Sequence, residues 1–305
     1  MSDPVISVRN LKKVYGDFVA VGGISFDVQR GEIFGLLGPN GAGKTTTLEC
    51  LEGLRRPDGG SASILGVDPG REPRKLWNLI GVQLQTSGLP AAMSANEALR
   101  FFSAYHGVAP RYDLLERLGL HDKLNAQYCQ LSVGQQRRLA LAVALAHGPR
   151  VVFLDEPTAG LDVESRSELH ALMQELRLGG TTLILATHDM AEAEKLADRV
   201  AILLRGKIVT IGTPREITAT GAGWTKVSVR TERASLLQNG ASFPAVRRRL
   251  EQEDYAVFFS TDPGPTVSAI IAHVEAQADR LIDLRVERPS LEERFLEITQ
   301  NGGAQ

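Results

Sequence analysis

The sequence is poor in cysteine, with only Cys50 and Cys129 among its 305 residues. The two are isolated from each other and form no metal-ligand spacing, which excludes a disulfide framework and a cysteine-based zinc motif. Cys50 falls in an apolar helical stretch, so we expect it to be a small buried residue. We expect Cys129 to be an ordinary thiol.

Charge of one sign and long apolar runs are also lacking. The 34 basic and 36 acidic residues leave a net charge of −2, so there is no basic field and no nucleic-acid partner is expected. The longest apolar runs, such as 139–146, fall well short of the roughly 18 residues of a membrane span. The first residues do not form a secretory pattern, so we expect a cytoplasmic protein.

A phosphate-loop motif is the strongest feature that is present. It consists of Gly38, Pro39, Asn40, Gly41, Ala42, Gly43, Lys44, Thr45 and Thr46. An apolar segment at 33–37 predicts a buried strand before it, and 46–54 predicts a helix after it, which is the context the motif requires. Glycines let successive N–H groups wrap an anion, Lys44 adds a positive charge near the β- and γ-phosphates, and the Thr45 hydroxyl is the expected Mg²⁺ ligand. The motif predicts a nucleoside triphosphate site.

The remaining pattern predicts an α/β domain. Expected strands are 5–9, 24–28, 61–65, 80–85, 151–157, 181–186, 200–204 and 207–210, and expected helical segments are 94–124, 139–146, 163–178 and 191–197. We expect a turn at 12–16 between the first two strands. The helices from 86 to 148 predict a helical insertion between strands of the sheet, because Ser94 and Glu97 have capping-box spacing.

The character of the chain changes after Thr213-Pro214, and a linker is expected at Gly221-Ala222-Gly223. Segments 226–230, 244–253, 255–260, 266–278, 281–287 and 290–299 predict the order β-α-β-α-β-α. We therefore expect two domains, 1–218 and 219–305, the second a small α+β unit.

A set of motifs in fixed order carries a family resemblance. The phosphate loop is followed by Gln85, by the segment Leu131-Ser132-Val133-Gly134-Gln135, by Asp155-Glu156, by Ala159-Gly160-Leu161-Asp162 and by His188. Over roughly residues 5–215 the chain resembles the ATP-binding subunits of ABC transporters, whose signature reads LSGGQ. The resemblance implies a P-loop NTPase fold with a mixed sheet core, an antiparallel β subdomain and a helical subdomain.

The resemblance also implies the roles of individual residues. Thr45, Gln85 and Asp155 would hold Mg²⁺, and Glu156 would be the general base that polarises the attacking water. His188 would be the switch histidine that contacts the γ-phosphate, and Tyr15 would stack on adenine. Three alternatives stay open: Glu156 as an acid that only tunes the metal's field, Gln83 in place of Gln85, and Tyr15 as a packing residue.

The signature is implied to act on a second subunit. Ser132, Val133, Gly134 and Gln135 would close over ATP held by the partner's phosphate loop, and Leu161 and Asp162 would connect the two sites. We therefore expect a homodimer around two ATP molecules. Val133 stands where the commonest family pattern has glycine, which puts fine geometry and turnover rate in question.

A separate multi-span membrane permease is the implied partner. Its cytoplasmic helix would dock in a groove at 86–92 and near Phe101 and Phe102, for which core packing is the alternative. The tail at 286–296 resembles ATPase subunits of bacterial drug and polysaccharide exporters, whereas Arg247-Arg248-Arg249 fits a solvated helix face. A soluble ABC ATPase acting on a cytosolic assembly is the rival function, and an autonomous phosphotransferase leaves residues 131–135 unexplained. The second domain is expected to be regulatory or to support the dimer.

Overall fold

The computed structural model describes residues 3–85, 88–219, 224–238, 241–287 and 289–301. The chain divides into two compact units, Met1–Pro214 and Arg215–Gln305. The linker expected at Gly221-Ala222-Gly223 lies outside the described residues. The domain boundary expected after residue 218 lies close to this division.

The first unit alternates strands and helices. Its strands are β1 (Ile6–Tyr15), β2 (Phe18–Val28), β3 (Ile33–Leu37), β4 (Gly59–Ile64), β5 (Ile80–Gln83), β6 (Val151–Asp155), β7 (Thr182–Thr187), β8 (Arg199–Leu204) and β9 (Lys207–Gly212). Its helices are α1 (Lys44–Leu51), α2 (Pro73–Trp77), α3 (Ala95–Tyr105), α4 (Tyr112–Arg117), α5 (Val133–Leu145), α6 (Val163–Leu178) and α7 (Met190–Leu196), and α8 (Pro214–Ala219) begins at the boundary.

The main sheet has the strand order β5-β6-β7-β3-β8-β9. Strands β5, β6, β7, β3 and β8 run parallel to one another, and β9 alone is antiparallel, paired with β8 in a hairpin. All residues of β3, β6 and β7 are buried, which explains their continuous apolar sequences, since strands covered on both faces show no alternation. The predicted mixed sheet of a P-loop NTPase is confirmed.

A separate antiparallel sheet has the order β2-β1-β4. The turn expected at 12–16 is wrong, because β1 continues to Tyr15 and Gly16 and Asp17 alone make the turn to β2. Register shifts between Val8 and Leu11 and between Lys13 and Val14 interrupt the pairing. Such bulges interrupt the alternation of apolar and polar residues, so the sequence predicted only the first half of β1 and the second half of β2.

Helices α3, α4 and α5 lie between β5 and β6 in the chain and form the helical insertion. The predicted capping box at the start of α3 is present, with the Ser94 side chain accepting from the Glu97 N–H and the Glu97 carboxylate accepting from the Ser94 N–H. The core of the unit includes stacked rings of Phe26 and Phe34, whose centroids are 5.1 Å apart, and the fully buried Phe153.

The second unit is an α+β fold. It contains β10 (Thr225–Thr231), α9 (Ser235–Gln238), β11 (Val246–Gln252), β12 (Tyr255–Ser260), α10 (Pro263–Ala276), β13 (Leu281–Glu287) and α11 (Leu291–Asn301). The antiparallel sheet has the order β11-β12-β10-β13, which is the split β-α-β arrangement with a small core around Phe243 and Phe258.

The helix expected at 244–253 is wrong, because this segment is the edge strand β11. Arginine, glutamate, leucine and glutamine all favour helices, but pairing with β12 decides the conformation. The guanidinium groups of Arg248 and Arg249 lie over the rings of Phe259 and Phe258, at 5.6 and 5.8 Å from the centroids. The arginine run is therefore part of a sheet, and its reading as a solvated helix face was also wrong.

Candidate nucleotide site

The phosphate loop connects the buried strand β3 to the N-terminus of α1, as the sequence predicts. Gly43 caps α1 in the left-handed region with φ 104°, and a Cβ atom there would lie 2.4 Å from the carbonyl oxygen of Ala20. A Cβ at Gly38 would lie equally close to the carbonyl oxygen of Leu203. Only glycine fits both positions, so the loop is shaped by close backbone contact.

Lys44 lies inside this loop and is only 6% exposed. Its amine donates to the carbonyl oxygens of Gly38 at 2.8 Å and Pro39 at 3.3 Å. Burial lowers the pKa of Lys44, while the charges of Glu156 and Asp155 oppose the shift. The loop thus holds a desolvated cation, which strengthens its attraction for phosphate oxygens.

Two oxygen groups suited to a metal lie at the edge of the sheet. The Thr45 hydroxyl, in the first turn of α1, donates to Oδ2 of Asp155 at 2.8 Å, at the end of β6. Oδ1 of Asp155 is buried and has no hydrogen-bond partner among the described residues. Burial raises the pKa of Asp155, and the Thr45 hydrogen bond opposes the shift. An orphaned carboxylate oxygen beside a hydroxyl fits the oxygen-only preference of Mg²⁺.

No group of three or more acidic, histidine or cysteine side chains that could cage a metal occurs in the described part of the chain. This agrees with Mg²⁺ sites that use one or two protein groups together with substrate phosphates and water.

Glu156 follows Asp155 at the centre of the site and is 7% exposed. One of its carboxylate oxygens is 3.6 Å from the Lys44 amine, and the other is 2.7 Å from Nδ1 of His188. Its backbone is in the left-handed region with φ 51°, a strained conformation for a glutamate. The carboxylate is therefore fixed between a cation and an imidazole.

Arg137 is a member of the site that sequence reasoning missed. Its guanidinium, on α5, donates to the backbone carbonyl oxygen of Glu156. This hydrogen bond ties the helical insertion to the residue with the strained backbone. The only sequence signal was a pair of arginines that begins two residues after the signature, and a helix with polar residues in its first turn explains that pair equally well.

Tyr15 and Gln85 share a depression of about 340 Å³ with Lys44, Thr45 and Glu156. Tyr15 is 40% exposed, and the side chains of Lys13 and Arg55 approach its ring. Gln85 lies beyond the end of β5 and is exposed, while its rival Gln83 is buried within the strand. The geometry favours Gln85 as the residue that faces the nucleotide.

The signature residues do not line this depression in the described part of the chain. Ser132 caps α5 and forms a capping box with Gln135, whose side-chain oxygen accepts from the Ser132 N–H at 2.9 Å. Val133 is 59% exposed, and a Cβ at Gly134 would be 3.1 Å from the buried Leu161 side chain. The structure thus brings together the phosphate-loop residues and Glu156 but leaves the signature on a separate surface.

Asp162 caps α6, directly after Leu161. Its carboxylate accepts from the Ser165 N–H at 2.8 Å, and this hydrogen bond holds the pKa of Asp162 below its usual value. Leu161 therefore lies against Gly134 of the signature, and the next residue, Asp162, begins α6.

A second cavity of about 490 Å³ lies between α1, β5, α3 and α5, and we call it the lateral groove. Leu84, Phe102 and Tyr105 are among its largely apolar lining residues. Of the two phenylalanines expected at a docking groove, Phe102 lines the lateral groove, whereas Phe101 is exposed and lines a different depression. Part of the expected groove segment, Thr86 and Ser87, lies outside the described residues.

The helices resolved in the described ranges are all too short or too polar to cross a bilayer. Both cysteines are free. Cys50 is buried, as predicted, and Cys129 is exposed.

Comparison with known proteins gives consistent matches. A family model described as ABC transporter matches residues 21–159. The Nod factor export ATP-binding protein I of Ralstonia nicotianae is 36% identical over 98% of this chain and 94% of its own length. The linearmycin resistance ATP-binding protein LnrL of Bacillus subtilis is 32% identical over 97% of this chain and 98% of its own length.

A solved structure also matches. It is an ATP-binding cassette in a dimeric, post-hydrolysis state bound to ADP and Pi, with a TM-score of 0.64 and 25% identity over 68% of this chain and 98% of that one. The sequence relatives extend through both units of the chain, whereas this structure corresponds in length to the first.

Proposed function

Because the chain belongs to the ATP-binding subunits of ABC transporters, we propose that it hydrolyses ATP as a homodimer to power export through a separate membrane permease. The observation that carries this proposal is the position of Glu156. Its carboxylate lies between Lys44 and His188, and it follows Asp155, which is hydrogen-bonded to Thr45.

Each residue has a part in this proposal. The phosphate loop and Lys44 bind the β- and γ-phosphates, and the exposed ring of Tyr15 stacks on adenine. Thr45 and Asp155, with Gln85, hold Mg²⁺, which supplies charge neutralisation at the phosphates when it is bound.

Glu156 acts as the general base. Its carboxylate accepts a proton from the attacking water, and the contact with Nδ1 of His188 orients it. The Lys44 amine, 3.6 Å from the other carboxylate oxygen, helps to fix the position of the base. His188 has an exposed side chain and can reach beyond Glu156 to the γ-phosphate.

The dimer follows from the separation of the signature from the phosphate loop. The Ser132 hydroxyl and the Gly134 N–H, at the exposed N-terminus of α5, are donors with no phosphate on their own subunit, so we assign them to ATP held by a second copy. Val133 and Gln135 flank this contact, and Leu161 and Asp162 link it to α6.

Docking of the permease is assigned to the lateral groove, which would place the chain on the cytoplasmic face of the membrane. Export, rather than import, is supported by the names of the relatives, which are described as export and resistance proteins. The rival proposal is a soluble ATPase that acts on a cytosolic assembly.

The proposal is tested in two stages. The purified chain should hydrolyse ATP with a specific activity that rises with protein concentration, and independence of concentration would contradict the homodimer. A tagged Glu156→Gln protein is then held in ATP and recovered from its own cells in a gentle detergent. A multi-span membrane protein in the eluate supports the exporter, whereas soluble partners alone would favour the rival.

A further inference from the structure

The floor of the lateral groove contains a buried acid that the proposed function does not use. Glu52 is the C-cap of α1, is 1% exposed and lines the groove. Its backbone carbonyl accepts from the indole N–H of Trp77 at 2.9 Å, but Oε2 of its side chain is buried without a hydrogen-bond partner among the described residues. A carboxyl oxygen without a hydrogen bond in an apolar cavity costs free energy. A group of a binding partner that entered the groove and paired with this oxygen would recover that cost.

The surroundings of Glu52 decide the charge of that partner. Burial raises the pKa of Glu52 to about 8, and the negative charges of Asp155 and Glu49 add to the shift. Arg55 does not offset them at Glu52, since it is paired with Glu49 at 2.5 Å. The local potential is therefore negative. A cation beside Glu52 would release the proton of this carboxyl and pair with the resulting carboxylate, whereas an acidic group would add to the repulsion.

The groove has no cation of its own. No lysine or arginine is found among the described residues that line it. His106 and His147 stack there with ring centroids 3.9 Å apart, and burial lowers the pKa of both, that of His147 to about 4. Both shifts favour the uncharged imidazole. The apolar walls and the exposed ring of Tyr105 at the rim complete a site for an apolar surface with one positive charge.

From these contacts we infer that Glu52 selects the membrane partner, by pairing with a single lysine or arginine on the apolar face of that partner's cytoplasmic helix. The inference rests on the proposed function, and it adds the chemistry by which the docking segment is recognised. Such a pair discriminates between partners, because the described lining offers no competing cation and only a partner that brings one relieves the cost of the buried, unpaired acid.

The test uses the full chain and the multi-span membrane protein recovered with it, purified in detergent. Binding of that protein is measured for the wild type, for Glu52→Gln, which keeps the shape of the side chain, and for Glu52→Lys. Glu164→Gln is the control, because Glu164 is an exposed acid in the first turn of α6 that does not line the groove. Basal ATP hydrolysis of the purified variants reports that each is folded.

We expect Glu52→Gln to weaken binding about tenfold or more, since a charge-assisted hydrogen bond is lost, and Glu164→Gln to leave it unchanged. Glu52→Lys should abolish binding, and replacing the cation of the partner's docking helix by glutamate should restore it. Binding within twofold of the wild type for both Glu52 variants would overturn the inference and leave the proposed function standing. Recovery of no membrane protein with the wild type would overturn the proposed function and the inference together.

Discussion

Replacing Glu156 by glutamine should stop ATP hydrolysis while leaving ATP binding intact. The amide keeps the size of the side chain and can still contact His188, so the site should keep its shape. The Lys44 amine retains its hydrogen bonds to the carbonyl oxygens of Gly38 and Pro39. What is lost is the ability to accept a proton from water.

The magnitude follows from that single loss. A positioned general base contributes a rate factor of about 10² to 10⁴, which is roughly 3–5 kcal/mol of activation free energy. The strained φ of 51° at Glu156 argues for the upper part of this range, because a conformation maintained against strain indicates that the position of the carboxylate matters.

Phosphate release by purified protein is the assay, with ATP affinity measured by calorimetry on the same samples. Glu164→Gln, an exposed acid in the first turn of α6, is the matched control and should retain the wild-type rate. Glu156→Asp, whose shorter side chain moves the carboxylate away from the water, should hydrolyse ATP at a rate between those of Glu156→Gln and the wild type. A Glu156→Gln protein that hydrolyses ATP within threefold of the wild type would remove Glu156 from the role of base.

Three further changes test other parts of the structure. Lys44→Ala should weaken ATP binding at least tenfold in calorimetry, since it removes the desolvated cation from the loop, and unchanged affinity would refute the phosphate-loop assignment. Gly43→Ala should lower the free energy of unfolding by about 2 kcal/mol or more in urea titrations and abolish ATP binding. Gly41→Ala, where a Cβ meets open space, should cost less, and equal losses would refute the close-contact explanation. The pKa of Glu52 is raised from 4.5 to about 8, so its stabilising proton is lost as the pH rises through that window. Wild-type stability should therefore fall relative to Glu52→Gln between about pH 5 and pH 8, by at most about 1.4 kcal/mol per pH unit, and parallel profiles would contradict the shift.

The sequence predicted the parts of the fold that depend on local rules. Local rules predict the phosphate loop, the buried strands β6 and β7, and the helix cap at Ser132. In each of them the residue types favour the backbone conformation that the structure has. Family resemblance added the order of the motifs and the roles of their residues. Those roles stay predictions, although the geometry brings Glu156 and His188 into contact as the roles require.

The parts that sequence reasoning missed depend on tertiary contact. Strand β11 has a helix-favouring composition and becomes a strand because β12 offers it a hydrogen-bonding edge and aromatic rings for its arginines. The hydrogen bond from Arg137 joins a side chain to a backbone carbonyl 19 positions away, and a carbonyl acceptor leaves no trace in residue type. Glu52 is a charged residue at the end of a predicted helix, a position that is usually exposed, and only the structure shows that it is buried.

Helix α1 explains how the groove and the nucleotide site can affect each other. Lys44 and Thr45 are its first residues and Glu52 is its C-cap, so one helix of eight residues, about 12 Å long, carries both. A helix this short does not bend without breaking its own hydrogen bonds, so a partner that moves Glu52 must also move the loop around Lys44. The converse holds as well, because coupling between two binding sites is reciprocal. Binding of the membrane partner should therefore change ATP affinity by the same factor by which ATP changes the affinity for the partner. Glu52→Gln, which still binds the partner, should reduce both factors toward one without altering ATP affinity in the isolated chain.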